Sequence, residues 1–368
     1  CGGCDLLHVA YDEQCAMKEA NVKQLFEKAG IKPVFLPIVK NDSPLFYRHK
    51  VVLSATTKKK RLRLGLYREN TREVIPYIDC KIHHKKTTEI LMTLEELLNQ
   101  YKIPAYDIQT NQGIIKHILI RISHASERML LVFVTQGHLF PNAKKIIQEL
   151  LRKHDNIDTV IQNIHRKRTH LVLLEEEKIL YGKGFIFDEI DGLKFQISAR
   201  SFYQINPEQM FKLYQIALNL LDIQSKDRIV DTYSGIGTIS LLASRKAKEV
   251  IAIESNANAH HDALLNKRLN QIHNVHFIEA DVSEYMRRIE GNVDGLIMDP
   301  TREGSTIEFI DAVKKLRPKK IVYISCEPKT QVRDLIGFMS DYDVVSVQAI
   351  DMFSETEHVE SITLLSLK

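Results

Sequence analysis

A thiol at the end of an apolar run is the residue with the most chemistry to offer in this sequence. Cys326 stands in "IVYISCEPKTQVRDL" (residues 321–335), directly after alternating Ile, Val, Tyr and Ile and two residues before Pro328. A lone Cys is more often a small buried hydrophobe than a nucleophile, so its surroundings must decide. Two other stretches bear on it. "DTYSGIGTIS" (231–240) opens on an apolar run, and its Gly235 and Gly237 let backbone approach a ligand closely, although a tight turn would use the same residues. Glu254 ends the next apolar run, where a carboxylate can accept both hydroxyls of a ribose, as in dinucleotide and S-adenosylmethionine sites. Position 240 is Ser, so the full G-x-G-x-x-G pattern is missing and a nicotinamide cofactor is the second choice. Asp281, after the following run, suits an adenine edge or a helix N-cap. In "MDPTREG" (298–304) the Asp299-Pro300 pair makes a stiff turn that aims a carboxylate at a crevice, with a plain turn as the alternative.

The elements that must hold these residues change character near residue 200. Beyond it the rhythm is strand, helix, strand, over "RIVDTYSG", "EVIAIES", "VHFIEAD", "DGLIMDP", "KIVYISC", "DVVSVQAIDMF" and "ESITLLSL". That predicts a largely parallel sheet of seven strands, the last two an antiparallel pair. Ligands of such sheets lie outside the carboxyl ends of the strands, and Asp231, Glu254, Asp281, Asp299 and Cys326 all fall there. From about 34 to 196 short strands alternate with helical stretches such as "TTEILMTLEELLNQY" and "NAKKIIQELLRKH", which predicts an antiparallel α+β domain. Ahead of it, Val22, Leu25, Phe26 and Ala29 have helical spacing and stop at Gly30. The expected division is a central α+β domain over 1–195, whose first helix packs on the catalytic domain, and a Rossmann-like α/β domain over 196–368.

Composition narrows the partners. The chain has 368 residues, 44% hydrophobic and 27% charged, with a formal charge of +4. Its basic residues cluster in "TTKKKRLRLGLYR" (56–68), "CKIHHKK" (80–86) and "IHRKRTH" (164–170), which together favour a nucleic-acid partner over three unrelated solvated faces. No stretch approaches the ~20 apolar residues of a membrane span, and no signal-peptide layout is present. A cytoplasmic monomer without a membrane partner is expected. The first residue is Cys rather than Met, so a segment upstream is expected as well. Five cysteines, Cys1, Cys4, Cys15, Cys80 and Cys326, are an odd number that favours metal or catalytic use over a disulfide framework.

With these residues in view, the whole sequence resembles the RNA uracil-C5 methyltransferases, which make 5-methyluridine in transfer and ribosomal RNA. "SFYQINPEQMFKLY" is similar to the family's S-F-F-Q-x-N segment, "DTYSGIGT" to D-x-Y-C-G-x-G-T and "MDPTREG" to D-P-P-R-x-G. "SCEPKTQVRD" is similar to S-C-N-P-x-T-x-x-R-D and "DMFSETEHVESITLL" to D-M-F-P-x-T-x-H-V-E. The resemblance implies S-adenosylmethionine contacts from Gln204, Tyr233, Glu254 and Asp299, a nucleophile at Cys326 and a base at Glu360. It also implies a [4Fe–4S] cluster on Cys1, Cys4 and Cys80, with a fourth ligand upstream of residue 1, zinc being the alternative metal. Ribosomal RNA is the expected substrate, because "DTYSGIGTIS" and "DMFSETEHVE" look closest to the Gram-positive-type ribosomal enzymes; transfer RNA is the alternative. Departures from the pattern are Thr301 for Pro, Ser234 for Cys and Glu327 for Asn. A Glu327 carboxylate aimed at the thiol would raise its pKa. Thr301 and Glu327 keep a different class open, an RNA-binding module with weakened catalysis.

Overall fold

The computed structural model describes every residue except Ile78, Arg168 and His170. It forms two compact units. One comprises Cys1–Asp5, Ser43–Glu189 and Gln196–Arg200; the other comprises Leu6–Asp42, Ile190–Phe195 and Ser201–Lys368.

The second unit is built on an eight-stranded sheet. In spatial order its strands are Val34–Val39, Tyr342–Ile350, Glu360–Leu367, Lys320–Ser325, Gly295–Met298, Arg228–Thr232, Glu249–Glu254 and Val275–Glu279. All seven strands beyond residue 200 were legible as apolar runs, and their pairings are parallel wherever a helix crosses over. Glu360–Leu367 alone runs antiparallel, against both Lys320–Ser325 and Tyr342–Ile350. The eighth strand, Val34–Val39, adds in parallel beside Tyr342–Ile350. It contains Pro37, which has no N–H to donate and is tolerated at a sheet edge. The helix Tyr11–Lys28 buries Val22 and Phe26 in the same core as Tyr323, Phe338 and Val347, and the chain turns out of it at Gly30, φ +73°. Asn206 caps the helix Pro207–Leu221 by accepting from Gln209 N at 3.3 Å, with Pro207 in the first turn.

The first unit has a seven-stranded sheet in the order Val74–Pro76, Arg61–Tyr67, Lys50–Lys58, Ile115–Ile122, Met129–Thr135, Ile157–Ile164, Glu177–Tyr181. Its pairings are antiparallel except that between Met129–Thr135 and Ile157–Ile164, whose connection carries the helix Ala143–Lys153. Val51, Leu53, Ile118, Ile120, Leu131 and Phe133 point to one face, where Leu94 and Leu98 of the helix Lys86–Gln100 and Ile146 and Leu150 of Ala143–Lys153 complete the core.

Candidate active site

The antiparallel strand decides what faces Cys326. Ser325, the last residue of Lys320–Ser325, lies opposite Ser361, and Glu360 lies opposite Ile350 on the other side. One step further along this register, Cys326 and Glu360 become neighbours at the sheet edge. Gln331 fastens the two strands there: its amide donates to Tyr323 O at 2.9 Å, and Ser361 Oγ donates to its carbonyl at 2.7 Å. Glu360 is 3% exposed, and its Oε2 has no hydrogen-bond partner among the described residues. A buried carboxylate oxygen left unpaired is costly unless a ligand completes it.

Asp299 follows Gly295–Met298 at the same edge, since Met298 pairs with Tyr323. The turn after it closes through Gly304 N donating to Thr301 O at 2.8 Å. Behind the turn, Asp334 Oδ2 accepts from Ser305 N and from Tyr323 OH, both at 2.7 Å. Arg333 donates to the Glu303 carbonyl at 2.8 Å and to Asp334 Oδ1 at 2.7 Å. The "VRD" of the cysteine's own helix therefore fixes the loop carrying Asp299 and Arg302.

The glycine loop is shaped for close approach. Tyr233, Gly235 and Gly237 all have positive φ, at 63°, 55° and 83°. A Cβ on Gly235 would meet nothing within 4 Å, whereas one on Gly237 would strike the Phe277 ring at 2.4 Å. Glu254 holds the loop by accepting from Gly235 N at 2.8 Å and from Asn256 N at 2.7 Å. Ser234 Oγ is buried without a hydrogen-bond partner among the described residues, and Gln204 is 8% exposed. Asp281 is the N-cap of the helix Val282–Met286, accepting from Glu284 N at 2.9 Å. The glycine cradle, the unpartnered Ser234 hydroxyl and the half-buried carboxylates fit a polar, cationic nucleoside ligand.

Charge at this edge is unbalanced. Burial, then the charges of Glu360 and Asp299, push the Cys326 thiol up to about 11, against a smaller pull from the Arg302 guanidinium. Burial and Asp299 hold Glu360 well above the usual carboxylate range, again opposed by Arg302. Burial raises Asp299 to about 7. Asp231, which accepts from Ser240 Oγ, is also raised to about 7 by burial, then by Asp299 and Glu254. The largest charges raising the thiol are those of Glu360 and Asp299 rather than Glu327.

The tRNA (uracil-5-)-methyltransferase family matches residues 11–368. The chain belongs to this family. An uncharacterized RNA methyltransferase of Oceanobacillus iheyensis is 36% identical over 377 residues, covering 100% of this chain and 82% of that protein. One from Halalkalibacterium halodurans is 34% identical over 375 residues, with the same 100% and 82% coverage. Among solved structures, the Pyrococcus abyssi tRNA (uracil-54, C5)-methyltransferase in complex with S-adenosyl-L-homocysteine is similar at a TM-score of 0.82 and 26% identity, over 99% of this chain and 84% of that one. This chain is thus an S-adenosylmethionine-dependent RNA uracil-C5 methyltransferase with the α/β fold of such enzymes.

In this methyltransferase the thiols expected to hold a metal are not gathered. Cys1 is exposed and Cys4 and Cys80 are half-buried, and no group of three His, Cys, Asp or Glu among the described residues is arranged to hold a metal ion. Gly2 N reaches Tyr67 O at 3.4 Å, at the end of the strand Arg61–Tyr67, and its Cα faces Glu69. The expected [4Fe–4S] cluster is therefore not supported by an arrangement of ligands among the described residues. Cys15 is 1% exposed in the helix Tyr11–Lys28, as a helix-face residue should be. Arg302, whose guanidinium opposes the raised values of Cys326 and Glu360, was not singled out by residue types and spacing; its signal was the "TREG" after Asp299-Pro300. No helix among the described residues is long and apolar enough to cross a membrane.

Proposed function

We propose that this enzyme forms 5-methyluridine in ribosomal RNA through a covalent adduct between Cys326 and C6 of the target uracil. Uracil C5 is a poor nucleophile. A thiolate adding to C6 places electron density on C5, and Cys is suited because it attacks readily and leaves readily. S-adenosylmethionine, when bound, supplies an electrophilic methyl group for C5. Glu360 then takes the C5 proton, and elimination returns the Cys326 thiolate. Gln204, Tyr233, Glu254, Asp281 and Asp299 are the proposed holders of the methyl donor. The observation that carries this reading is the antiparallel register that seats Cys326 beside Glu360, whose Oε2 has no partner of its own. A carboxylate held above its usual pKa is, once ionised, a stronger base, suited to the weakly acidic proton on the sp³ C5 beside the C4 carbonyl.

The target base must leave its stack to reach an edge of this kind, and Phe202, 67% exposed two residues before Gln204, offers it a ring. The basic α+β unit is the proposed RNA-binding part. Its best phosphate contacts are the exposed hairpin residues Lys58–Arg61. Two further candidates for phosphate contact are "RHK" (48–50), which is half-buried, with His49 pushed down to about 4 and Lys50 to about 7 by burial, and the basic run 165–169, whose Arg168 lies outside the described residues. Transfer RNA is the competing target, favoured by the description of the matching family and by the Pyrococcus enzyme.

Mapping 5-methyluridine in ribosomal and transfer RNA of cells with and without the gene separates the targets. For the mechanism, Cys326→Ala should give neither product nor covalent complex. Glu360→Gln should accumulate protein joined to RNA already methylated at C5, seen on denaturing gels and by mass spectrometry. Adduct formation by Cys326→Ala, or full turnover by Glu360→Gln, would overturn the assignment.

A further inference from the structure

The segment Asp351–Val359 joins the paired positions Ile350 and Glu360, so it determines where the Glu360 carboxylate is placed. Its start is held on two sides: Gln209 and Asn206, at the head of Pro207–Leu221, donate to Asp351 O at 3.0 Å and Met352 O at 3.2 Å, while its polar side chains are held by the helix Tyr11–Lys28 and Asn41. Asp351, 0% exposed, accepts from Lys18 Nζ at 2.6 Å on Oδ1, and from Tyr11 OH at 2.7 Å and Ser354 Oγ at 2.6 Å on Oδ2. Lys18, 2% exposed, also donates to Phe353 O at 3.0 Å. Asn41 donates to Ser354 Oγ at 2.9 Å. Glu355 is a buried non-glycine residue at φ +69°, in the left-handed region that a Glu seldom occupies. Gln14 secures it from two sides, donating to Glu355 Oε2 at 2.9 Å and accepting from Glu355 N at 3.1 Å, while Leu6 N donates to Glu355 O at 3.0 Å.

We infer that the helix Tyr11–Lys28 is a brace for the base: Tyr11, Gln14 and Lys18 are positioning residues that set the Asp351–Glu355 turn and, through it, the reach of Glu360 to the C5 proton. The inference rests on the proposed role of Glu360. Its physical basis is that Oε2 of Glu360 finds no partner among the described residues to aim it, so its aim is inherited from the backbone, which sheet pairing holds at Glu360 and the helix Tyr11–Lys28 helps to hold along the turn that leads into it. A buried, fully satisfied polar network is suited to specify one arrangement of a turn. A loosened turn would leave Cys326 and the methyl donor site untouched, because those are held by Gln331, Asp334 and the glycine loop.

The test uses full-length Gln14→Leu and Tyr11→Phe, which remove hydrogen bonds without leaving Asp351 as an unpaired buried charge, as Lys18→Met would. RNA labelled with tritium at uracil C5 is reacted with S-adenosylmethionine in a single turnover. Methyl transfer should stay within about twofold of the parent, while tritium release slows about tenfold or more and the methylated covalent adduct accumulates. Tyr11→Phe, the smaller change, keeps the test open if Gln14→Leu fails to fold. Equal slowing of both steps, or no change in either, overturns the brace. Parallel measurement of Glu360→Gln distinguishes the two failures: if it accumulates adduct and the brace variants do not, only the brace is wrong; if it turns over normally, the reading of Glu360 is wrong.

Discussion

Cys326 lies where ionisation is resisted, with its pKa raised from 9.0 to about 11 by burial and two carboxylates. Near neutral pH the ligand-free thiol is therefore protonated, and its thiolate fraction rises about tenfold per pH unit up to that value. A cation placed beside Asp299 and Glu360 offsets the charge that raises it. Thiolate absorbance, taken as the difference between the parent and Cys326→Ser, should show the Cys326 pKa falling by about one unit or more on binding S-adenosylmethionine. The neutral thioether S-adenosylhomocysteine should lower it much less. Equal effects from both would mean that the sulfonium charge plays no part in activating the thiol. The position of Cys326 at a strand end was legible from the apolar run before it and Pro328 after it. Glu360 was not legible from residue types, because a Glu opening a strand usually faces water; only its place in the family's motif marked it. Arg302 escaped notice for a related reason, since its influence on the thiol comes from a turn whose shape depends on Asp334, more than thirty residues away.

The glycine loop was the most legible element, since a strand, Gly-x-Gly and a helix follow one another locally. Gly237 nonetheless has a duty that spacing does not reveal: at φ +83° it leaves room for the Phe277 ring, which any Cβ would meet at 2.4 Å. Gly237→Ala combines left-handed strain with that clash. It should cost roughly 1–3 kcal/mol of unfolding free energy and weaken S-adenosylmethionine binding about tenfold or more, as read by urea titration and calorimetry. Unchanged affinity would mean the loop does not bear on the methyl donor. The helix Tyr11–Lys28 was legible from Val22, Phe26 and Gly30, but its buried face was not. Gln14 and Lys18 interrupt the apolar stripe, and their partners Glu355 and Asp351 lie more than 330 residues away. Val34–Val39 hid its sheet in the same way, since a short apolar run with a Pro says edge without saying of what.

Over the whole molecule the charge of +4 understates the local field. Several basic residues are already paired, including Lys81 with Asp79 at 2.6 Å, Lys86 with Glu127 and Arg63 with Glu95 at 3.0 Å. Lys59 and Lys60 sit at an exposed hairpin tip, with φ of 49° and 61°. The double variant Lys59→Glu/Lys60→Glu should weaken RNA binding about tenfold near 0.1 M salt and reduce the slope of log affinity against log salt by about 1–1.5, without changing which uridine is methylated. An unchanged slope would make the tip a solvated turn. One consequence reaches back to synthesis. The ribosome delivers Lys18 first and Asp351 333 positions later, a delay on the order of tens of seconds at ~5–20 residues per second. Residues 43–189 have their own core and can close meanwhile, but the nascent helix and the strand Val34–Val39 must stay unpartnered until the last strands emerge. Residues 11–41 and 351–360 must thus meet before this edge is complete, so a translation product that stops short of Glu360–Leu367 has no edge at which Cys326 and Glu360 are neighbours.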